Sequence, residues 1–293
     1  MSHSYRGRFA PSPTGPLHFG SLVCALASYL DAKKHKGTWL IRIEDVDQTR
    51  CKPLFTEQII ATLHSYLLFS DEEILTQYSR SPIYESFLSE LKDKNVLFPC
   101  NCTRQQLSQF QGLHPKPCDS TQQKPHSWRL EASHAIYQIE DPIQGTLIFK
   151  GDLKNNSTVL KRKDDFFSYQ LAVVVDDHLQ EITHLVRGAD LIETTAQQLH
   201  LYHLLNWTPP HITHIPLITN SKGDKISKQN HAKAVKNGDL ATLIRALHYL
   251  GIDISSATTI SDALEDAIEK WNPAILKGIR HLTLEEQDSD FIE

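Results

Sequence analysis

Cys100, Cys102, His114 and Cys118 have the residue types and spacing of a metal knuckle. Three of the chain's five cysteines fall within 19 positions, and an odd number without a secretory leader argues against a disulfide framework. Zinc closes structural sites with four soft or borderline ligands, here Cys100, Cys102, a histidine and Cys118. The histidine is His114, with His126 and His134 close enough in sequence to compete. Such a site would staple a segment too polar to build a core of its own. Cys24 reads as a small core hydrophobe and Cys51 as a loop residue. A second chemical stretch is Arg8–Ser21, RFAPSPTGPLHFGS. Its prolines fix φ and its glycines tolerate unusual backbone, so it is a rigid, sharply turned loop. It ends at His18, Gly20 and Ser21, directly before a long apolar helix, and free N–H groups at a helix N-terminus suit a phosphate. Acids follow at Glu44, Asp45 and Asp47. The run Asp176-Asp177-His178 invites a second metal, but neighbours on a strand point to opposite faces and do not converge on one ion.

These groups need a scaffold. The 293 residues, 40% hydrophobic and 22% charged, describe a globular chain large enough for a sizeable core. A formal charge of −5 does not advertise a nucleic-acid binder, so any RNA contact must come from local basic surface. No stretch approaches the roughly 18 apolar residues of a membrane span, and the start lacks a signal core, so a cytoplasmic protein is expected. Tyr5–Ala10 reads as a strand, Ser21–Lys34 as a buried helix and Thr38–Ile43 as a parallel strand, together a βαβ unit. Glu44 then stands at the carboxyl end of a parallel strand, where open α/β sheets bind ligands. Helices are expected over Phe55–Phe69, Tyr84–Lys94 and Thr195–Leu205, with a strand at Thr183–Val186 and His211–Leu217 leading to a loop at Thr219–Gln229. Phe166–Val175, apolar and β-branched, reads as a central strand. Four segments follow: 1–99, the first half of an α/β catalytic domain; 100–165, an inserted subdomain bearing the knuckle; 166–230, the second half; and 231–293, a helical C-terminal region.

The Arg8–Ser21 loop resembles the HIGH signature of class I aminoacyl-tRNA synthetases, in the form found in the glutamate-specific branch. Lys225-Ile-Ser-Lys-Gln229 resembles the second signature, KMSKS, about 200 residues downstream and in the right order. With LVRGADLIE and KISKQNHA, the chain is similar from residue 5 to about 250 to the glutamyl-Q tRNA(Asp) synthetases, short paralogues of the glutamyl-tRNA synthetases. The resemblance implies a Rossmann-type parallel sheet, ATP-dependent activation of glutamate without tRNA, and transfer of glutamate to the queuosine base at the wobble position of tRNA(Asp). That chemistry needs positioning and charge stabilisation, not a covalent nucleophile.

The matched motifs also imply roles. His18 and Lys228 would act on the phosphates in the transition state; Gly20, Ser21, Lys225 and Ser227 would complete the ATP site, with Mg2+ on the nucleotide. Arg8, Ala10, Ser12, Glu44, Tyr169 and Arg187 would bind glutamate: arginines for carboxylate, Glu44 for the ammonium and Tyr169 through its hydroxyl. Which arginine takes which carboxylate stays open, and either could instead serve an internal ion pair. Two positions depart from the family pattern: His114 stands where a tyrosine belongs in its zinc motif, and Ser21 closes the first signature. About 60 residues follow Gln229, too few for a helical anticodon-binding region, so tRNA is expected to be used differently, by a monomer. A minimal enzyme charging a tRNA 3′ end and a non-catalytic tRNA- or adenylate-binding paralogue are the alternatives. Lys150, Lys154, Lys161, Arg162 and Lys163 form a basic stretch able to meet phosphate or to be a solvated face.

Overall fold

The computed structural model describes residues 4–110, 114, 118, 125–131, 135–150, 158–226, 233–254 and 256–291. Strand β1 (Arg6–Phe9), helix α1 (Phe19–Lys34) and strand β2 (Thr38–Ile43) form the expected βαβ unit, with Arg6 opposite Thr38 and Phe9 opposite Ile41 in parallel register. Helix α1 is buried almost all round, as its sequence requires of a helix clamped between sheet and neighbours. Helix α2 (Pro53–Ser65) leads to β3 (Leu75–Thr76), which pairs parallel with β2. Helix α3 (Ser81–Asp93) follows.

The polar middle of the chain builds β4 (Leu97–Cys100), α4 (Arg104–Ser108), β5 (Ser127–Leu130), β6 (Tyr137–Asp141), β7 (Gly145–Phe149) and β8 (Val159–Lys161). Strands β4, β5 and β8 make one antiparallel sheet, and β6 and β7 make a hairpin. The hairpin's tip is anchored in the main body: Ile143 is fully buried in the central core, and its carbonyl accepts a bond from the Gly278 N–H at 2.7 Å.

Helix α5 (Tyr169–Leu179) replaces the strand expected at Phe166–Val175. Every residue from Leu171 to Asp177 is buried, because α5 is enclosed by α3, β8 and helix α6 (Ile192–Leu204). A run that is apolar on all sides has no period to read, and its three valines favour strand only weakly against such packing. On a helix, Asp176, Asp177 and His178 fan out to different partners. Asp176 meets Arg80 and Tyr84, Asp177 meets Arg8 and Arg42, and His178 stacks on Trp207.

Strand β9 (His184–Gly188) pairs parallel with β10 (His211–Ile215). It runs beside β1, where the Thr183 N–H donates to the Arg6 carbonyl at 3.0 Å and the Arg6 N–H to Thr183 Oγ1 at 2.8 Å. The parallel strands therefore lie in the order β3-β2-β1-β9-β10, which reverses between β1 and β9, the place where such sheets open a ligand crevice. Strand β11 (Leu217–Thr219) precedes the lysine loop, and α7 (Leu240–Tyr249) and α8 (Ile260–Lys270) pack on α1. The C-terminal region is not helical throughout: β12 (His281–Thr283) pairs parallel with β11. Among the described residues no helix is long and apolar enough to cross a membrane.

Candidate active site

A cleft of about 510 Å³ opens at the carboxyl ends of β1, β2, β9 and β10. It gathers Arg8, Ala10, Ser12, His18, Gly20, Ser21, Glu44, Tyr169, Arg187 and Lys225, contributed by segments as far apart as β1 and the loop after β11. Tyr169 reaches it from the first turn of α5 rather than from a strand. Ser227 and Lys228 lie outside the described residues. The chain on either side of them is anchored beside the first signature: a Cβ at Gly20 would come 3.5 Å from the Ile226 carbonyl oxygen, and the Val235 N–H donates to the Leu17 carbonyl at 3.0 Å.

The two arginines have opposite surroundings. Arg8, 4% exposed, donates from Nε and Nη2 to both carboxylate oxygens of Asp177 at 3.0 Å. Arg42, fully buried on β2, reaches the same carboxylate at 2.7 Å and Glu44 at 3.4 Å. With Glu44 ionised, two cations face two anions in one buried network. Burial alone opposes the charge on Asp177, but Arg42 and Arg8 outweigh it and hold its pKa below the ordinary value. Glu44 is less well compensated: burial pushes its pKa up to about 7 against the pull of Arg42 and Arg8.

Arg187, 2% exposed, is held by neutral groups. Its Nε donates to His214 Nε2 at 3.1 Å, Nη1 to Gln198 Oε1 at 2.6 Å and Nη2 to Thr195 Oγ1 at 2.8 Å. No carboxylate touches it among the described residues, and burial pulls its pKa below that of a free guanidinium. Three of the five N–H donors of a guanidinium are engaged, which leaves charge and donors facing the cleft. Burial also pushes the Tyr169 phenol up to about 12, so its hydroxyl stays protonated and able to donate.

His18 caps α1. Its Nδ1 accepts the Ser21 N–H at 3.2 Å and its Nε2 lies 2.9 Å from Ser21 Oγ. An accepting Nδ1 puts the proton of the neutral ring on Nε2, where it can be donated. The Cβ that alanine would place at Gly20 sits 3.5 Å from its nearest neighbours, an ordinary contact, so the fold itself tolerates a methyl there. Lys225 stands on the rim in an ion pair with Asp190. Cys24 is half-buried, packs against the central core as expected and also lines the cleft, and burial pushes its thiol up to about 11.

The knuckle forms away from the cleft. The ligand atoms of Cys100, Cys102, His114 and Cys118 lie within 4.8 Å of one another and could hold a metal ion. Cys102 Sγ is 3.7 Å from Cys118 Sγ and 3.4 Å from His114 Nε2. Two thiolates at about 2.3 Å on a tetrahedral zinc stand about 3.8 Å apart, so the donor set fits. His126 is turned onto Trp128 instead, and His134 lies outside the described residues. Lys163 Nζ braces the knuckle through the Asn101 and Cys102 carbonyls at 2.6 and 2.9 Å. Lys161 and Arg162 are likewise committed, to Glu85 and to Asp47 and Asp164; Lys150 is exposed, and Lys154 lies outside the described residues.

Sequence reasoning did not name Asp177, Arg42, Asp190, Thr195, Gln198, His214 or Asp141 as parts of the site. One signal was available: Arg42 inside the otherwise apolar strand TWLIRI demands a buried anion. Nothing local marks His214 or Asp141.

Fold and cleft define the catalytic core of a class I aminoacyl-tRNA synthetase: a parallel sheet, a HIGH-type loop capping the first helix, and a lysine loop returning beside it. The chain matches the family described as "tRNA synthetases class I (E and Q), catalytic domain" over residues 4–117 and 116–265. It is 41% identical over 276 residues to the glutamyl-Q tRNA(Asp) synthetase of Klebsiella pneumoniae (strain 342), covering 92% of this chain and 94% of that protein. The Escherichia coli K12 protein of the same name is 40% identical over 273 residues, 91% and 89% of the two chains. A glutamate tRNA ligase from Elizabethkingia meningosepticum, solved in complex with its amino acid, shares the fold at TM-score 0.77 and 22% identity, over 98% of this chain and 68% of that one. The chain belongs to the class I E and Q synthetase family, and within it to the glutamyl-Q tRNA(Asp) synthetases.

Proposed function

We propose that this protein activates L-glutamate with ATP in the absence of tRNA and transfers the glutamyl group to the queuosine base at the wobble position of tRNA(Asp). The observation that carries the glutamate half is Arg187, a buried cation facing the cleft with only neutral partners. An uncompensated buried charge is costly unless a ligand completes it. A ligand carboxylate does so, taken bidentately by the guanidinium. Glu44 receives the ammonium, Tyr169 adds a hydroxyl bond, and Arg8, held by Asp177, supplies further positive potential. The loop residues Ala10 and Ser12 frame the amino acid. The acceptor half rests on the name the relatives carry.

In the first step a carboxylate oxygen of glutamate attacks the α-phosphorus of ATP in line, and the bond to pyrophosphate breaks. His18 donates from Nε2 to the phosphates, and Lys225, Ser227 and Lys228 follow the charge that builds on the departing group. Ser21 and the bare backbone at Gly20 receive the nucleotide at the start of α1, with Mg2+ neutralising part of the triphosphate charge. In the second step a hydroxyl of the queuosine base attacks the acyl carbon of the adenylate and AMP leaves. A zinc ion on Cys100, Cys102, His114 and Cys118 supplies a structural crosslink for the inserted subdomain, taken as 100–165 between catalytic halves at 1–99 and 166–230, with 231–293 buttressing α1. The enzyme works as a monomer in the cytoplasm, where its substrates are. The test is glutamate-dependent exchange of pyrophosphate into ATP without tRNA. The wild type exchanges with glutamate and not glutamine, and His18→Ala and Lys228→Ala each lose about 100-fold or more while melting normally. Full exchange in both variants would overturn the mechanism.

A further inference from the structure

His214 and Arg187 occupy opposed positions on the parallel strands β10 and β9, so their side chains leave the sheet on one face. Arg187 can only donate, so His214 Nε2, 3.1 Å away, must accept. On the other side of the ring, Nδ1 lies 2.7 Å from Asp141 Oδ2. That carboxylate also receives the His214 N–H at 2.9 Å, and its Oδ1 receives the N–H groups of Ile143 and Gln144 at 2.9 Å. With donors on both oxygens, Asp141 acts as an acceptor throughout, and Nδ1 carries the imidazole proton. The side chains of His214 and Asp141 are both wholly buried.

We propose that His214, oriented by Asp141, is a positioning unit for Arg187: a neutral imidazole protonated at Nδ1 fixes the guanidinium without cancelling its charge. The proposal rests on the reading of Arg187 as a ligand for a glutamate carboxylate. The contrast with Arg8 gives it force. Asp177 contacts Arg8 directly, so orientation and neutralisation come together there. At Arg187 the acid stands one residue further back, and the imidazole passes on geometry while the positive charge stays available. Thr195 completes the seat: its hydroxyl donates to the Leu191 carbonyl at 2.9 Å and accepts from Arg187. The groups facing His214 are Asp141 from β6, Arg187 from β9, Asp190 from the turn after β9, and Thr195 from α6. Burial holds its pKa below the ordinary histidine range although Asp141 opposes this, which agrees with a neutral ring. Because Asp141 belongs to the inserted segment, that segment anchors the amino-acid pocket of the core.

Two substitutions separate the ring's two duties. Asparagine at 214 can donate to Asp141 but is too short to reach Arg187; glutamine can present an acceptor near the Nε2 position. His214→Asn is expected to raise the KM for glutamate about tenfold or more with kcat and the KM for ATP nearly unchanged, and His214→Gln to restore it to within about threefold. An unchanged glutamate KM in His214→Asn, or equal losses for glutamate and ATP in both variants, would overturn the proposal. Nitrogen chemical shifts of the labelled imidazole in the wild-type chain give a reading independent of activity and of variant folding. A neutral ring protonated at Nδ1 across about pH 6 to 8 supports the assignment, and an imidazolium or an Nε2-protonated ring contradicts it. Failure of the wild type to exchange pyrophosphate would strike the proposed function instead and leave the tautomer to be read.

Discussion

Two buried arginines stand on neighbouring strands of one sheet, and they are held in opposite ways. Arg8 shares Asp177 with Arg42 in a network whose charges balance once Glu44 is ionised. Arg187 sits among a neutral histidine, a glutamine and a threonine. The first arrangement is complete without ligand, and breaking it leaves charge stranded in the core. The second has no carboxylate partner among the described residues, and on the proposed function part of the electrostatic cost of folding is recovered when a substrate carboxylate binds. On the proposed function, the partners of a buried cation in this cleft tell its role: Arg8, held by a carboxylate, serves the scaffold, and Arg187, held by neutral groups, serves the substrate.

The largest expected effect breaks the balanced side. Asp177→Asn leaves Arg8 and Arg42 without their shared anion and should lower unfolding free energy by about 3–5 kcal/mol, measured by denaturant titration. Arg187→Gln should change stability by no more than about 1 kcal/mol while glutamate kcat/KM falls about 100-fold or more. Equal stability losses in the two variants would erase the distinction.

Glu44 sharpens the comparison through pH. Its folded pKa of about 7 lies above the unfolded carboxyl value, so between the two the folded state holds the extra proton. Its contribution to stability is therefore full in acid and is lost as pH rises through about 7, on the order of 3 kcal/mol. Ammonium binding needs the charged form, so glutamate kcat/KM should climb over the same interval. Glu44→Gln should flatten the stability profile, raise the melting temperature above pH 7 and abolish activation; an unaltered stability profile would count against the assignment.

Smaller effects are expected further from this pair. Cys118→Ser, or chelation with metal loss verified, should lower the melting temperature of the inserted segment by several degrees while pyrophosphate exchange falls only a few-fold. Gly20→Ala should fold normally, since the added methyl meets only ordinary contacts, and raise the KM for ATP about tenfold with little change for glutamate.

The first βαβ unit was legible because its signals agree: proline and glycine in the turn, an apolar helix and a β-rich strand, each with its own pattern. The cleft residues were legible for a different reason, since RFAPS, the acid after β2 and VRGAD are contiguous motifs. Helix α5 was not legible, because Leu171–Val175 is apolar on every side and period cannot separate buried strand from buried helix. The partners of the arginines were hidden for a third reason. Asp177 lies 169 positions from Arg8, and Asp141 73 positions from His214, so only the fold brings them together. His114 is the histidine that the spacing already singles out, ahead of His126 and His134, and its Nε2 stands 3.4 Å from Cys102 Sγ.

The most direct test of the account is transfer of labelled glutamate to two tRNA pools, one containing queuosine and one from cells unable to make it. Label is expected on tRNA(Asp) in the first pool alone, and it should persist when the 3′-terminal adenosine has been removed enzymatically before the reaction. Label on tRNA(Glu) in both pools, abolished by removal of that adenosine, would contradict this and mark the protein as an enzyme that charges the 3′ end.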